Sequence, residues 1–160
     1  MQTYFNRLLN LIENQKNAML ITKQNDGLLK SRPMWISKLE QDGTMWFFNN
    51  ENSCKANEIK EHPQVNLSFK DEKKQEYISV SGEAEIVTDR EKMKELMTPT
   101  VKAWFPEGID DPDISLIKVN FEKGAYWVTE ESKLRQAFEI TKALLTNEKA
   151  DIGEHATVEV

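Results

Sequence analysis

A chain of 160 residues that is 39% hydrophobic and 30% charged, with six glycines and five prolines, has the make-up of one folded domain, neither disordered nor fibrous. Its net charge of −6, from 27 acidic against 21 basic side chains, argues against nucleic acid and anionic membrane as partners, and Lys73-Lys74, the one doublet of interest, is flanked by Asp71-Glu72 and Glu76. The single Cys54 excludes an internal disulfide.

Several further features bear on location and size. A globular chain of this length buries roughly 70% of its extended surface, enough for one core. The start, Met1-Gln2-Thr3-Tyr4-Phe5-Asn6-Arg7, lacks a basic segment leading into an apolar run, so no signal peptide is expected. No apolar stretch approaches membrane-spanning length, and the cytoplasm is the expected compartment.

In chain order, Phe5, Leu8, Leu9 and Ile12 recur at helical spacing and predict an amphipathic helix over 3–14. Ala18 to Gln24 and Leu28 to Ser37 flank Asn25-Asp26-Gly27, the strongest short hairpin signal, because both central residues tolerate positive φ. Pro33 in the second of these strands cannot donate to a ladder, which implies an edge, a bulge or a ligand contact. Asp42-Gly43 then predicts a second hairpin into Thr44 to Phe48, making an antiparallel meander. Asn52 or Ser53 can cap a helix over Cys54 to Glu61 that Pro63 stops.

Val65, Leu67 and Phe69 alternate as a half-buried strand, and Tyr77 to Val87 is the longest strand, its Ser81-Gly82 implying close backbone approach or a bend. Thr88-Asp89-Arg90-Glu91 reads as a capping box for a helix burying Met93, Leu96 and Met97. A helical turn and an acidic loop follow over 99–113. Strands over Ile114 to Phe121 and Ala125 to Thr129 are expected about a turn at Lys123-Gly124, then a helix from Ser132 to Leu145 with a stripe of Leu134, Ala137, Phe138, Leu144 and Leu145. The polar, acidic residues 146–160 predict a loosely held tail beyond a domain spanning 1–145. The whole is a mainly β (α+β) chain: an antiparallel barrel or sandwich with peripheral helices.

Most catalytic constellations are absent. His62 and His155 stand apart with no ligand-spaced partners, so no metal site is expected. The chain has no G-x-S-x-G, G-x-x-x-x-G-K-[ST] or G-x-G-x-x-G pattern. Cys54 has no histidine nearby in sequence to act as its base, and Asp110 to Asp113 lacks the glycine and terminal glutamate of a calcium loop.

What remains is anion binding. Ser53 and Lys55 at a helix start offer a donor and a charge where free N–H groups and the helix dipole already favour an anion. Arg32 would join them if its strand paired with Thr44 to Phe48, with a surface carboxylate as the competing partner for its charge.

Arg32-Pro33-Met34, Trp46-Phe47-Phe48 with Ser53-x-Lys55, His62-Pro63-Gln64-Val65, Ser79-Val80-Ser81-Gly82, Lys102-Ala103-Trp104-Phe105-Pro106 and Tyr126-Trp127 together resemble the pyridoxamine 5'-phosphate oxidase-like flavin-binding split barrels, in their bacterial general stress protein branch. The resemblance covers nearly the whole chain. It implies a six-stranded split barrel that forms a homodimer with two flavin mononucleotide (FMN) sites at the subunit interface. It implies that Arg32 reaches the phosphate, that Pro33, Met34 and Trp35 line the ring, and that Phe48 and Asn49 form the next contact. Ser53 and Lys55 match the phosphate binders, and Trp104 and Trp127 approach the ring from the other subunit.

The oxidases proper have an arginine where this chain has Cys54, and their downstream arginine and histidine cluster is missing after Tyr126-Trp127. The resemblance therefore points to an FMN-dependent oxidoreductase other than a vitamin B6 oxidase, with a nicotinamide or other small-molecule redox partner and no named catalytic side chain. The alternatives are a non-catalytic flavin-binding or flavin-storing stress protein, or a barrel for another cofactor such as haem or a deazaflavin.

Overall fold

The computed structural model describes residues 2–129, 133–146, 149–150 and 153–159. It is a mainly β, antiparallel half-barrel sheet with helices, in the order α1 (Gln2–Gln15), β1 (Asn17–Lys23), β2 (Leu29–Trp35), β3 (Lys38–Leu39), β4 (Met45–Asn50), α2 (Cys54–Glu61), β5 (Gln64–Asp71), β6 (Glu76–Val87), α3 (Arg90–Leu96), α4 (Pro99–Trp104), β7 (Ile114–Val128), α5 (Lys133–Thr146) and β8 (Glu154–Glu159). No helix among the described residues is long and apolar enough to cross a membrane.

The strands join in the order β2-β1-β5-β6-β7-β4-β3, with β8 added to β7. Among the described residues the sheet has eight strands where six were expected, because two-residue β3 and the tail strand β8 carry too little pattern to read. The expected turn at Lys123-Gly124 is also corrected. β7 runs unbroken for 15 residues, and the ladder to β6 merely shifts register where Ser81 faces Lys123 and Gly82 faces Phe121. Gly82 is required there, since a Cβ would collide with the Asn120 carbonyl oxygen. Gly124 lies against Leu8 and the Phe121 ring, so its small size serves packing.

The predicted meander is corrected as well. Asp26-Gly27 does join β1 to β2, with Gly27 at φ 87°. Asp42-Gly43, with Gly43 at φ 88°, joins β3 to β4 instead, and β4 pairs with β7. β2 and β4 never pair; they sit near opposite ends of the strand order. Pro33 fits because β2 is an edge strand.

Two apolar clusters explain the burial pattern. Leu8, Leu11 and Ile12 of α1, spaced at three and four residues, close the main core over Leu20, Phe47, Leu67, Val80, Val119 and Tyr126. α1 stops at Lys16, whose φ of 51° ends the helical path. Met93 and Leu96 of α3 pack with Ile114 and Leu116 in the second cluster, against Trp46, Phe48 and Phe105. β4 and β7 are therefore covered on both faces, which is why Ile114 to Ile117 is continuously buried. The N-cap of α3 is Asp89, which accepts from the N–H groups of Glu91 and Lys92, one residue later than the capping-box reading.

The tail is held over its last described stretch, contrary to expectation. β8 pairs with β7 from Glu154 opposite Val128 to Glu159 opposite Lys123, Val158 is buried, and Lys123 forms an ion pair with Glu159. Tyr126 donates to Glu154 at 2.8 Å, and Arg7 pairs with the same carboxylate at 3.1 Å. Ser132, expected to start the closing helix, and the side chain of Leu134 lie outside the described residues. Phe138, Leu144 and Leu145 of α5 are exposed, so this chain leaves that expected stripe open.

Candidate functional site

The sheet curls so that its distant strands meet around one cavity of about 610 Å³, within the usual range for small-ligand sites. Pro33, Met34 and Trp35 form its wall on β2, and Phe48, Asn49 and Asn50 the wall on β4. Lys55 stands at the start of α2, while Thr100, Val101, Trp104 and Phe105 close the α4 side. Trp35 and Trp104 are 64% and 81% exposed, large apolar surfaces at the cavity that this chain leaves uncovered.

The polar end is built by local rules. Ser53 caps α2, accepting from the Ala56 N–H at 3.3 Å and donating to Asn49 Oδ1 at 3.1 Å. Buried Asn49 in turn donates to Ser115 at 3.2 Å, which ties the end of β4 to β7 and to the helix start. The one hydroxyl proton of Ser53 is thus committed within the chain. The N–H groups of Cys54 and Lys55, in the first turn of α2, have no partner among the described residues, as helix geometry dictates.

Arg32 lies within electrostatic reach of Lys55, though β2 and β4 do not pair. α2 packs back on β1, and its Glu58 accepts from Arg32 at 2.7 Å and from Thr22 at 2.5 Å. Arg32 also donates to Thr22 at 2.6 Å. Its partner is therefore a buried carboxylate, and Arg32 does not line the cavity.

Lys55, half-buried, has no ion-pair partner among the described residues. Burial, with the Arg32 charge next in weight, holds its ammonium below the usual lysine range; Cys54 and Glu58 act weakly the other way.

Of the residues proposed from sequence, Pro33, Met34, Trp35, Phe48, Asn49, Lys55 and Trp104 line the cavity, Ser53 caps the helix beside it, and Arg32 stands behind it. Trp127 lies outside the cavity of its own chain, stacked on His155 at 5.0 Å between ring centres. Sequence reading missed Asn17, Ser37, Asn50, Thr100, Val101 and Phe105 as wall residues, and Thr22 and Glu58 as partners of Arg32. Thr22 follows the buried alternation of Ala18 and Leu20, a usable signal; nothing local marks Glu58. No group of three His, Cys, Asp or Glu side chains suited to a metal ion occurs among the described residues.

A curled antiparallel sheet with an aromatic cavity ending at a capped helix start and a half-buried lysine places the chain in the class of mainly β antiparallel half-barrels. The family described as "Pyridoxamine 5'-phosphate oxidase like" matches residues 4–151, and the chain belongs to that family, in its general stress protein branch. A Jannaschia sp. CCS1 structure named as a general stress protein 26 is 30% identical, with a TM-score of 0.78 and full coverage of both chains. The structure of a general stress FMN/FAD binding protein from Xanthomonas citri has the same fold, at 24% identity and a TM-score of 0.71, over 82% of this chain and 93% of that one. Protein bli-3 of Neurospora crassa is 27% identical over 93% of this chain and 76% of its own length.

Proposed function

We propose that the chain binds FMN in this cavity and works as a cytoplasmic, homodimeric FMN-dependent oxidoreductase of the general stress type. The observation that carries the reading is Lys55: a half-buried cation without an ion-pair partner among the described residues, at a helix start, on the wall of an aromatic-lined cavity of about 610 Å³. The residues suit the cofactor at both ends. Lys55 and the open N–H groups of Cys54 and Lys55 take the phosphate, with Arg32 as the second, more distant cation. Met34, Trp35, Phe48 and Trp104 take the ring, and the Asn49–Ser53 bond fixes the spacing between the two ends. The relative from Xanthomonas citri, which carries FMN/FAD binding in its name, supports the choice of a flavin.

A flavin supplies hydride transfer, and the protein supplies position and electrostatics. Lys55 orients the phosphate, the β2 backbone from Pro33 to Trp35 orients the ring, and the aromatic walls exclude water. Exposed Trp35 and Trp104 at the cavity, and exposed Phe138, Leu144 and Leu145 on α5, support a second copy as their cover. Trp127 fits the site only from a partner subunit.

A storage role without turnover is the second reading. What favours it is the lining: no His, Asp, Glu, Cys or Tyr from the described residues lines the cavity to move a proton. The visible spectrum of the purified protein tests the common part. Flavin absorbance, with FMN released on heating, is expected; a colourless protein that takes up no added flavin would overturn the proposal. Steady-state oxidation of reduced nicotinamide nucleotides that depends on Lys55 separates the enzyme from the store.

A further inference from the structure

Glu58 is the one charged residue buried among the described residues, 7% exposed, and burying a carboxylate costs stability unless its charge is matched. It is matched in a closed triangle. Glu58 Oε2 accepts from Thr22 Oγ1 at 2.5 Å and from an Arg32 terminal nitrogen at 2.7 Å, and the other Arg32 terminal nitrogen donates to Thr22 at 2.6 Å. Lys55 stands on the same helix one turn earlier, at the cavity wall.

We propose that Glu58 sets the ligand charge preference of this site: it fixes Arg32 and cancels its charge, so a bound phosphate meets one net positive charge, from Lys55, where two would otherwise act. The inference deepens the flavin reading and rests on it for the identity of the ligand. The same bond also staples α2 to the β1–β2 hairpin, so the role must be separated from simple stapling. Charge does so. A stapling group acts on ring and phosphate alike, whereas a charge-setting group acts on the phosphate alone and on the titration of Lys55. The charged and titratable groups that act on Lys55 are Arg32 from β2 and Cys54 and Glu58 from α2; of these Arg32 depresses its ammonium and Glu58 supports it.

The test compares Glu58→Gln, which keeps an acceptor oxygen for Arg32 and Thr22 but loses the charge, with Arg32→Gln. FMN and riboflavin are the probes, since they differ only in the phosphate, and Lys55 is titrated by NMR in the flavin-free protein. For Glu58→Gln, FMN affinity should rise roughly three- to thirtyfold while riboflavin affinity holds within about twofold, and the Lys55 titration should move further down. For Arg32→Gln, both readings should move the opposite way. If either variant fails to fold, the other still decides by the sign of its two shifts. Equal effects on FMN and riboflavin, or an unmoved Lys55, would overturn the role of Glu58. Wild-type protein that binds no FMN would instead remove the flavin reading, leaving the Lys55 titration to judge Glu58 separately.

Discussion

Lys55 is half-buried with Arg32 as a neighbour, so its ammonium loses its proton more readily than that of a solvated lysine. Two consequences of opposite sign follow. The unfolded chain, with an ordinary lysine near 10.5, binds more protons than the folded chain between the lowered value and 10.5, so this group makes stability without ligand rise with pH across that window. Phosphate binding needs the charged form, so FMN affinity should fall as pH rises through the lowered value, beginning below the range where a solvated lysine titrates. An FMN titration series from neutral to alkaline pH, with riboflavin as the ring-only control, checks this; parallel curves for the two ligands would remove Lys55 from the phosphate. Lys55 and the cap at Ser53 were legible because helix starts carry compact signatures. The partner of Arg32 was not, because a surface carboxylate is the ordinary expectation and a buried Glu58 becomes tolerable only once Thr22 and Arg32 are folded over it.

At the level of elements, β7 and β8 show how a local reading fails. Glu122 and Lys123 are exposed and precede a glycine, the usual look of a turn, yet Gly124 is there for Leu8 and the strand continues. The short alternation of β8, with only Val158 buried, becomes a strand because β7 offers it a ladder. Tyr126 locks this pairing through its bond to Glu154, and burial together with that carboxylate pushes its phenol up to about 12. A tyrosine raised above its unfolded value near 10 keeps its proton longer when folded, so stability should be full below pH 10 and fall as pH rises from 10 towards 12. Tyr126→Phe should cost about 1 kcal/mol at neutral pH and lose this alkaline component, measured by urea unfolding at several pH values. An alkaline slope unchanged in the variant would assign it to other groups.

For the molecule as a whole, an acidic chain with net charge −6 could hold the proposed phosphate only through local positive charge, which here is Lys55 at the cavity wall and Arg32 paired with Glu58. Arg32 acts electrostatically on Lys55, but not through the expected pairing of its strand with β4. β2 and β4 are far apart in the sheet order, and curling of the half-barrel with docking of α2 brings their ends together. Such closure depends on the long-range register of β1, β5, β6 and β7, which no local pattern specifies. The most direct test of the central claim is to titrate FMN and riboflavin against wild-type protein and Lys55→Ala. FMN affinity should drop roughly ten- to a hundredfold in the variant, about 1.5 to 3 kcal/mol for a lost charge-assisted contact, while riboflavin affinity stays unchanged. Equal FMN affinity in the two proteins would contradict the account and place the phosphate away from α2.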